Sequence, residues 1–227
     1  MLLVIWDIDG TLVEGAGAGH RALVRAVSTV LETDVDLDGM DYAGRTDRSL
    51  FEEALARGGG RPATDWMRVR DQYIRILQQE LASGGGRALP GAEDALMRLG
   101  AMSDVRQVIG TGNIEAGAWI KLGYFGLAKY FGTGGFGDNH RVRTPVIRDA
   151  FLAAQRHYEA QFDPVVVVGD TPRDADAAKA LNIHAVGVAT GRYSHGELEP
   201  HFAVVLDSLA PTETFLSALL DAPPARA

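Results

Sequence analysis

Asp7 and Asp9 stand one residue apart at the end of an apolar run, Leu2–Trp6, and are followed at once by Gly10-Thr11. Side chains two apart on extended backbone point the same way, so the two carboxylates would converge just past a strand's carboxyl end. Crowded carboxylates repel one another and raise a pKa unless a cation lies between them. A hard divalent ion with oxygen ligands, Mg²⁺ above all, is the natural neutraliser. Helix capping or a solvated turn would account for the acids alone. It leaves the flush apolar strand before them and the Gly-Thr after them unexplained.

Other candidate residues recur at comparable junctions. A short strand, Val105–Ile109, ends in Gly110-Thr111-Gly112-Asn113 ahead of a helical segment, Glu115–Leu122. The Thr111 hydroxyl and the backbone N–H groups that follow suit a phosphoryl oxygen, although strand-ending Thr also caps helices. Val142-Arg143-Thr144-Pro145 precedes a helix with Val146, Ile147, Ala150, Phe151 and Ala154 on its apolar face, which places Arg143 at the helix head. A basic residue there opposes the macrodipole, so helix energetics do not explain it. Val165–Val168, four β-branched residues, runs into Gly169-Asp170-Thr171-Pro172-Arg173-Asp174. An ordinary N-cap with an acid in the first turn is the structural alternative for Asp170 and Asp174.

Taken in order, Asp-x-Asp-Gly-Thr, the strand-ending Thr111, the basic residue at 143 and Gly-Asp-Thr-x-x-Asp resemble the four motifs of the haloacid dehalogenase-like hydrolase superfamily. The third departs in type, because the family's residue is usually Lys; Arg141 is the fallback for that role. The resemblance implies that Asp7 attacks phosphorus to give a phosphoaspartate and that Asp9 is the general acid and base. It implies Mg²⁺ as cofactor, held by Asp7, the backbone carbonyl of Asp9 and Asp170, with Asp174 supporting the metal or the basic residue. Thr111, the N–H of Gly112 and Arg143 would hold the remaining phosphoryl oxygens, with Asn113 among the substrate contacts. Asp176 is expected to be solvated. Gly44-Arg45-Thr46-Asp47 resembles the loop that small-molecule phosphatases of this group lower over the active site. There Arg45 and Thr46 would meet the substrate, Arg45 through an anion such as a carboxylate; alternatively Asp47 starts a helix and Arg45 is solvated.

The elements that must position these residues follow from periodicity. Leu23, Val24, Val27, Val30 and Leu31, then Leu50, Phe51, Ala54 and Leu55, then Trp66, Tyr73, Leu77 and Leu81 make three apolar helical stripes. Glycine-rich crossings frame them, Gly15–Gly19, read as a non-helical hinge, and Ser83–Ala88. Strand and helix alternate after that, with further strands at Ala185–Val188 and at Ala203–Leu206, the latter an edge. A closing helix follows around Phe215–Leu220, then a frayed tail from Asp221. The expected fold is α/β: a Rossmann-like parallel sheet flanked by helices, residues 1–15 and 88–227, with an inserted α-helical cap domain, residues 16–87.

Bulk properties limit the partners. A formal charge of −8 and a pI near 5.2 argue against general affinity for nucleic acid or anionic membrane. The absence of cysteine removes thiolate chemistry and cysteine zinc sites. Gly15–Gly19 does not fit Gly-x-Gly-x-x-Gly, because His20 occupies the sixth position, so no nicotinamide or flavin is expected. No run approaches the ~20 apolar residues of a membrane span. A cytoplasmic monomer or homodimer acting on a small phosphorylated metabolite is the expectation.

The function expected is a Mg²⁺-dependent phosphatase for a small phosphomonoester, phosphoglycolate-like or sugar-phosphate-like. Members resembling dehalogenases lack the second acid that Asp9 supplies. Phosphonoacetaldehyde-cleaving members carry a small residue there and a cap lysine, whereas Lys121 and Lys129 lie outside the cap segment. A β-phosphoglucomutase-like isomerase keeps both acids and stays open as an alternative, as does a non-catalytic phosphate-binding descendant. A signalling receiver would lack the inserted helices.

Overall fold

The structure, a computed structural model, describes residues 1–221, so the tail expected from Asp221 lies, past its first residue, outside the described residues. Its first strand, β1 (Leu2–Trp6), is buried throughout. Leu2, Val4 and Trp6 face one apolar layer while Leu3 and Ile5 face another, which is why the run shows no polar alternation. The Trp6 indole N–H is kept inside by donating to Gln107 Oε1 at 3.0 Å, and Gln107 Nε2 donates to the Leu96 carbonyl.

The chain next forms a two-residue strand, β2 (Val13–Glu14), and leaves for three helices, α1 (Ala18–Leu31), α2 (Asp47–Arg57) and α3 (Pro62–Gly84). It returns along β3 (Arg87–Ala88), antiparallel to β2, so both crossings run side by side as a short ribbon. The expectation of a non-helical Gly15–Gly19 hinge needs correction. Gly17, at φ +77°, caps α1, and Gly19 lies within its first turn. The three helices share their own apolar cluster, centred on Leu23, Val27, Phe51, Leu55, Leu77 and Leu81.

The remaining elements are α4 (Ala92–Gly100), β4 (Val105–Gly110), α5 (Glu115–Tyr124), β5 (Gly134–Gly135), α6 (Arg143–Tyr158) and β6 (Val165–Gly169). After them come α7 (Pro172–Ala180), β7 (His184–Val188), α8 (His195–Leu198), β8 (Val204–Leu206) and α9 (Thr212–Leu220). Six strands form one parallel sheet in the order β5-β4-β1-β6-β7-β8, with α4, α5 and α9 over one face and α6 and α7 over the other. β8 is an edge strand as expected. β5 and α8 were not legible; β5 is a glycine pair, and a Cβ on Gly135 would sit 2.1 Å from the Val146 carbonyl oxygen of α6. That strand exists where a helix packs directly on backbone, a contact no propensity signals.

The register explains the convergence of the motifs. Trp6 pairs with Ile109 on one side and Val168 on the other. One or two residues further on, Asp7, Thr111 and Asp170 therefore leave the sheet along the same carboxyl edge. β1 is also where the chain switches from building one side of the sheet to building the other, the crevice where open parallel sheets bind ligands. Among the described residues no helix is long and apolar enough to cross a membrane.

Candidate active site

At that edge Asp7, Asp170 and Asp174 offer carboxylate oxygens within 4.8 Å of one another, all buried. Burial pushes the Asp7 carboxyl up to about 6, against the pull of the Arg143 guanidinium. Asp170 is raised well above the usual carboxylate range, by burial first and then by Asp7 and Asp174. Three acids sharing one guanidinium are under-neutralised, and their donor atoms are all hard oxygens, so the cluster could hold a divalent ion. Glycine makes room for it. Gly10 has φ +80°, and a Cβ there would lie 2.3 Å from Asp170 Oδ2; one on Gly191 would lie 1.7 Å from the same atom. The turn is tied down by Thr11 Oγ1 donating to Asp170 Oδ1 at 3.3 Å and by Thr190 Oγ1 donating to the Gly10 carbonyl at 2.6 Å.

Arg143, the first residue of α6, is buried and pairs with Asp7 at 2.8 Å and Asp174 at 2.7 Å, and it donates to the Gly110 carbonyl at 3.0 Å. Burial would loosen its proton, but Asp174 and Asp7 outweigh burial and hold it charged. Its Nε is buried with no hydrogen-bond partner among the described residues. Arg141, the fallback, is exposed and pairs with Glu52 of α2 at 2.6 Å, so geometry distinguishes the two arginines. Asp174 has its second oxygen engaged by Thr171, whose N–H and hydroxyl donate at 3.2 and 2.7 Å. It thus closes a helix capping box and also pairs with Arg143. Asp176 is exposed.

Thr111 is fully buried where β4 ends; its hydroxyl oxygen accepts from Asn113 Nδ2 at 2.8 Å. The Asp9 side chain turns away from the three-acid cluster. Its Oδ2 accepts from Asn113 Nδ2 at 2.7 Å and from Lys121 Nζ at 2.5 Å. Sequence reasoning missed Lys121, because a lysine in the middle of α5 with apolar neighbours reads as an exposed position. The signal available was its place two turns after Asn113, on the face that also carries buried Gly117 and Ala118.

The three-helix insert closes over this edge. The Asp47 N–H donates to the Gly112 carbonyl at 2.7 Å, and Asp47 Oδ2 accepts from the Ile114 N–H at 2.8 Å. Thr46 is the N-cap of α2, accepting from the Ser49 N–H, so its hydroxyl is committed to the helix. Arg45 lines the cavity, but its guanidinium is paired with Glu53 and bonded to the Asp41 and Ser49 carbonyls. Gly112 has no room for a side chain, since a Cβ would meet the Arg45 carbonyl oxygen at 2.1 Å. The cavity measures about 430 Å³. Its floor carries Asp7, Asp9, Thr111, Arg143 and Asp170, and its roof carries His20, Tyr42, Phe51 and Tyr73 from the insert.

A family model described as haloacid dehalogenase-like hydrolase matches residues 1–182. The chain belongs to that family, and it is an enzyme of the hydrolase class. It is 26% identical over 210 residues to a phosphoglycolate phosphatase of Agrobacterium fabrum, covering 92% of this chain and 89% of that one. It is 28% identical over 215 residues to the phosphoglycolate phosphatase of Escherichia coli, covering 86% and 83%. A crystal structure of a hydrolase from Pseudomonas syringae superimposes with a TM-score of 0.71 at 21% identity, covering 96% of this chain and 98% of that one, which speaks for the fold.

Proposed function

We propose that the protein is a Mg²⁺-dependent phosphatase acting on a small phosphomonoester, phosphoglycolate-like or a sugar phosphate, by way of a phosphoaspartate at Asp7. The observation that carries this reading is the convergence of Asp7, Asp9, Thr111, Arg143 and Asp170 on one cavity of about 430 Å³. In the first step Asp7 forms a bond to phosphorus while the bond to the ester oxygen breaks, and Asp9 gives that oxygen a proton. In the second, water attacks phosphorus, returns a proton to Asp9 and frees the Asp7 carboxylate together with inorganic phosphate. Arg143, Thr111 and the Gly112 N–H hold the oxygens that do not react, with Asn113 beside them.

Asp7, Asp170 and the backbone carbonyl of Asp9 would hold the ion, while Asp174 is engaged by Thr171 and Arg143. Bound there, Mg²⁺ supplies charge neutralisation between nucleophile and phosphate. Residues 16–87 act as a cap that excludes water and selects the substrate, over a core made of the rest. Phosphoglycolate phosphatase relatives support the substrate class. In the closed cap Arg45 is held by Glu53; a substrate carboxylate would have to compete for it, or leave it as a strut of the loop.

The test is phosphate release from phosphoglycolate and a panel of small sugar phosphates, with Mg²⁺ and with chelator, beside Asp7→Asn. Release that needs Mg²⁺ and vanishes in Asp7→Asn is expected. Undiminished release from Asp7→Asn would overturn the mechanism. No release, with a phosphoaspartate trapped from a sugar bisphosphate, would replace the phosphatase by a phosphomutase. Arg45→Ala should raise KM for the best carboxylate-bearing substrate; an unchanged KM assigns Arg45 to the strut.

A further inference from the structure

We infer that Lys121 is a positioning residue for Asp9: together with Asn113 it pins one carboxylate oxygen so that the other faces the leaving oxygen of the ester. This rests on the reading of Asp9 as the proton donor. Lys121 Nζ lies 2.5 Å from Asp9 Oδ2 and 2.6 Å from Asn113 Oδ1, and Asn113 Nδ2 reaches the same Asp9 Oδ2 at 2.7 Å. Asn113 Nδ2 also donates to the Thr111 hydroxyl oxygen at 2.8 Å. That pattern fixes the amide's orientation, since the reversed side chain would set its oxygen against the Asp9 carboxylate and its NH₂ against an ammonium. Asp9 Oδ2 thus takes two donors, whereas Oδ1 has no hydrogen-bond partner among the described residues.

The burial pattern separates this from a merely structural ion pair. Side-chain exposure is 7% for Lys121 and 46% for Asp9. Both residues line the cavity, but the lysine side chain is buried in its wall while the carboxylate it grips stays open. Burying a lysine costs several kcal/mol of desolvation, and an apolar residue of similar size often serves stability as well or better. The geometry serves proton delivery instead. A carboxyl on a freely rotating χ2 samples many directions; one pinned at Oδ2 presents Oδ1 within a narrow cone. Orientation of this kind is worth orders of magnitude in rate.

The readout is how strongly the rate depends on the leaving group. An alkoxide needs a proton as it departs, whereas p-nitrophenolate leaves without one. The kcat/KM values for phosphoglycolate and ethyl phosphate are measured against p-nitrophenyl phosphate on the same preparation of Lys121→Met, so that the ratio cancels any loss of folded enzyme. kcat/KM ends at cleavage of the ester bond and does not report the later hydrolysis of the phosphoenzyme. The expected result is a loss on the alkyl esters at least about tenfold greater than on p-nitrophenyl phosphate, within the range of acid catalysis. Asp9→Asn sets the upper limit of that selective loss, and adding Lys121→Met to it should deepen the ratio no further. Ethylammonium should restore part of the alkyl-ester rate to Lys121→Ala.

Equal losses on both kinds of ester, or none, would overturn the positioning role. An Asp7→Asn enzyme that still turned over substrate, or a parent enzyme that hydrolysed none of the three esters, would remove the phosphatase reading and the inference with it.

Discussion

Asp47 belongs to α2 yet satisfies the backbone of α5: its carboxylate accepts the Ile114 N–H while its own N–H holds the Gly112 carbonyl. Burial lifts its carboxyl from 3.8 to about 7, against the opposing pull of Lys121 and of the Ile114 N–H. A carboxyl raised in the folded state binds its proton more tightly there than in the unfolded chain. Its contribution to stability is therefore complete below pH 3.8, drains away as the pH rises and is gone above about 7. Each pKa unit is worth about 1.4 kcal/mol, so the ceiling is about 4 kcal/mol, and about half that is a realistic expectation after local relaxation. Asn at this position keeps an acceptor for Ile114 and removes the buried charge.

Asp47→Asn should therefore gain on the parent protein between pH 5 and pH 8. For a chain of this size, about 2 kcal/mol corresponds to roughly 4–8 °C in Tm. The assay is thermal unfolding of both proteins at the two pH values, with chelator present throughout. Asp7 and Asp170 titrate in both proteins, so their effects cancel in the comparison. A difference in Tm that is the same at pH 5 and pH 8 would refute burial as the cause of the shift. A difference that reverses sign would mean that attraction to Lys121 outweighs desolvation.

Two further outcomes follow from the acid cluster. Arg143→Met leaves Asp7, Asp170 and Asp174 without their guanidinium and should cost about 3–5 kcal/mol, part of it recovered by Mg²⁺; an unchanged Tm in chelator would show that the acids do not need the arginine. Gly10→Ala and Gly39→Ala both force a side chain into positive φ, but only the first drives its Cβ onto Asp170, at 2.3 Å. Gly10→Ala should lose divalent-ion affinity by calorimetry while Gly39→Ala keeps it, and equal affinities would remove the claim that Gly10 makes room for the Asp170 carboxylate.

The sheet was legible because β1 and β6 are apolar runs buried on both faces, β4 closes on the apolar pair Val108-Ile109, and each ends in a short chemical motif. Periodicity of 3.6 likewise announced α1, α2 and α3, since each turns one stripe toward the shared cluster. Tertiary contact created the rest. β5 exists by pairing with β4 under the backbone of α6, and Gly19 is helical because the α1 cap lies at Gly17. Arg143 was marked by its unfavourable place at a helix start, and the two carboxylates beside it explain why it is tolerated there. Lys121 carried no such mark: its significance depends on a neighbour 112 residues away.

Two cations divide the acids of this site into different tasks. Arg143 lies between Asp7 and Asp174 in a buried, under-neutralised cluster, a setting that favours a metal and a nucleophile held still. Lys121 holds Asp9 apart from that cluster, half open to the cavity, a setting that favours a group which must gain and lose a proton. Asp7 and Asp9 are two residues apart and chemically identical; what separates them is the environment each side chain enters after β1 ends. Asp7 continues the ladder, its N–H donating to the Val168 carbonyl at 3.0 Å, and is rigid by the sheet's own hydrogen bonds. Asp9 lies in the turn beyond, where the sheet no longer fixes it. A carboxylate in that turn needs outside anchors to aim it, and among the described residues Asn113 and Lys121 are the two it has.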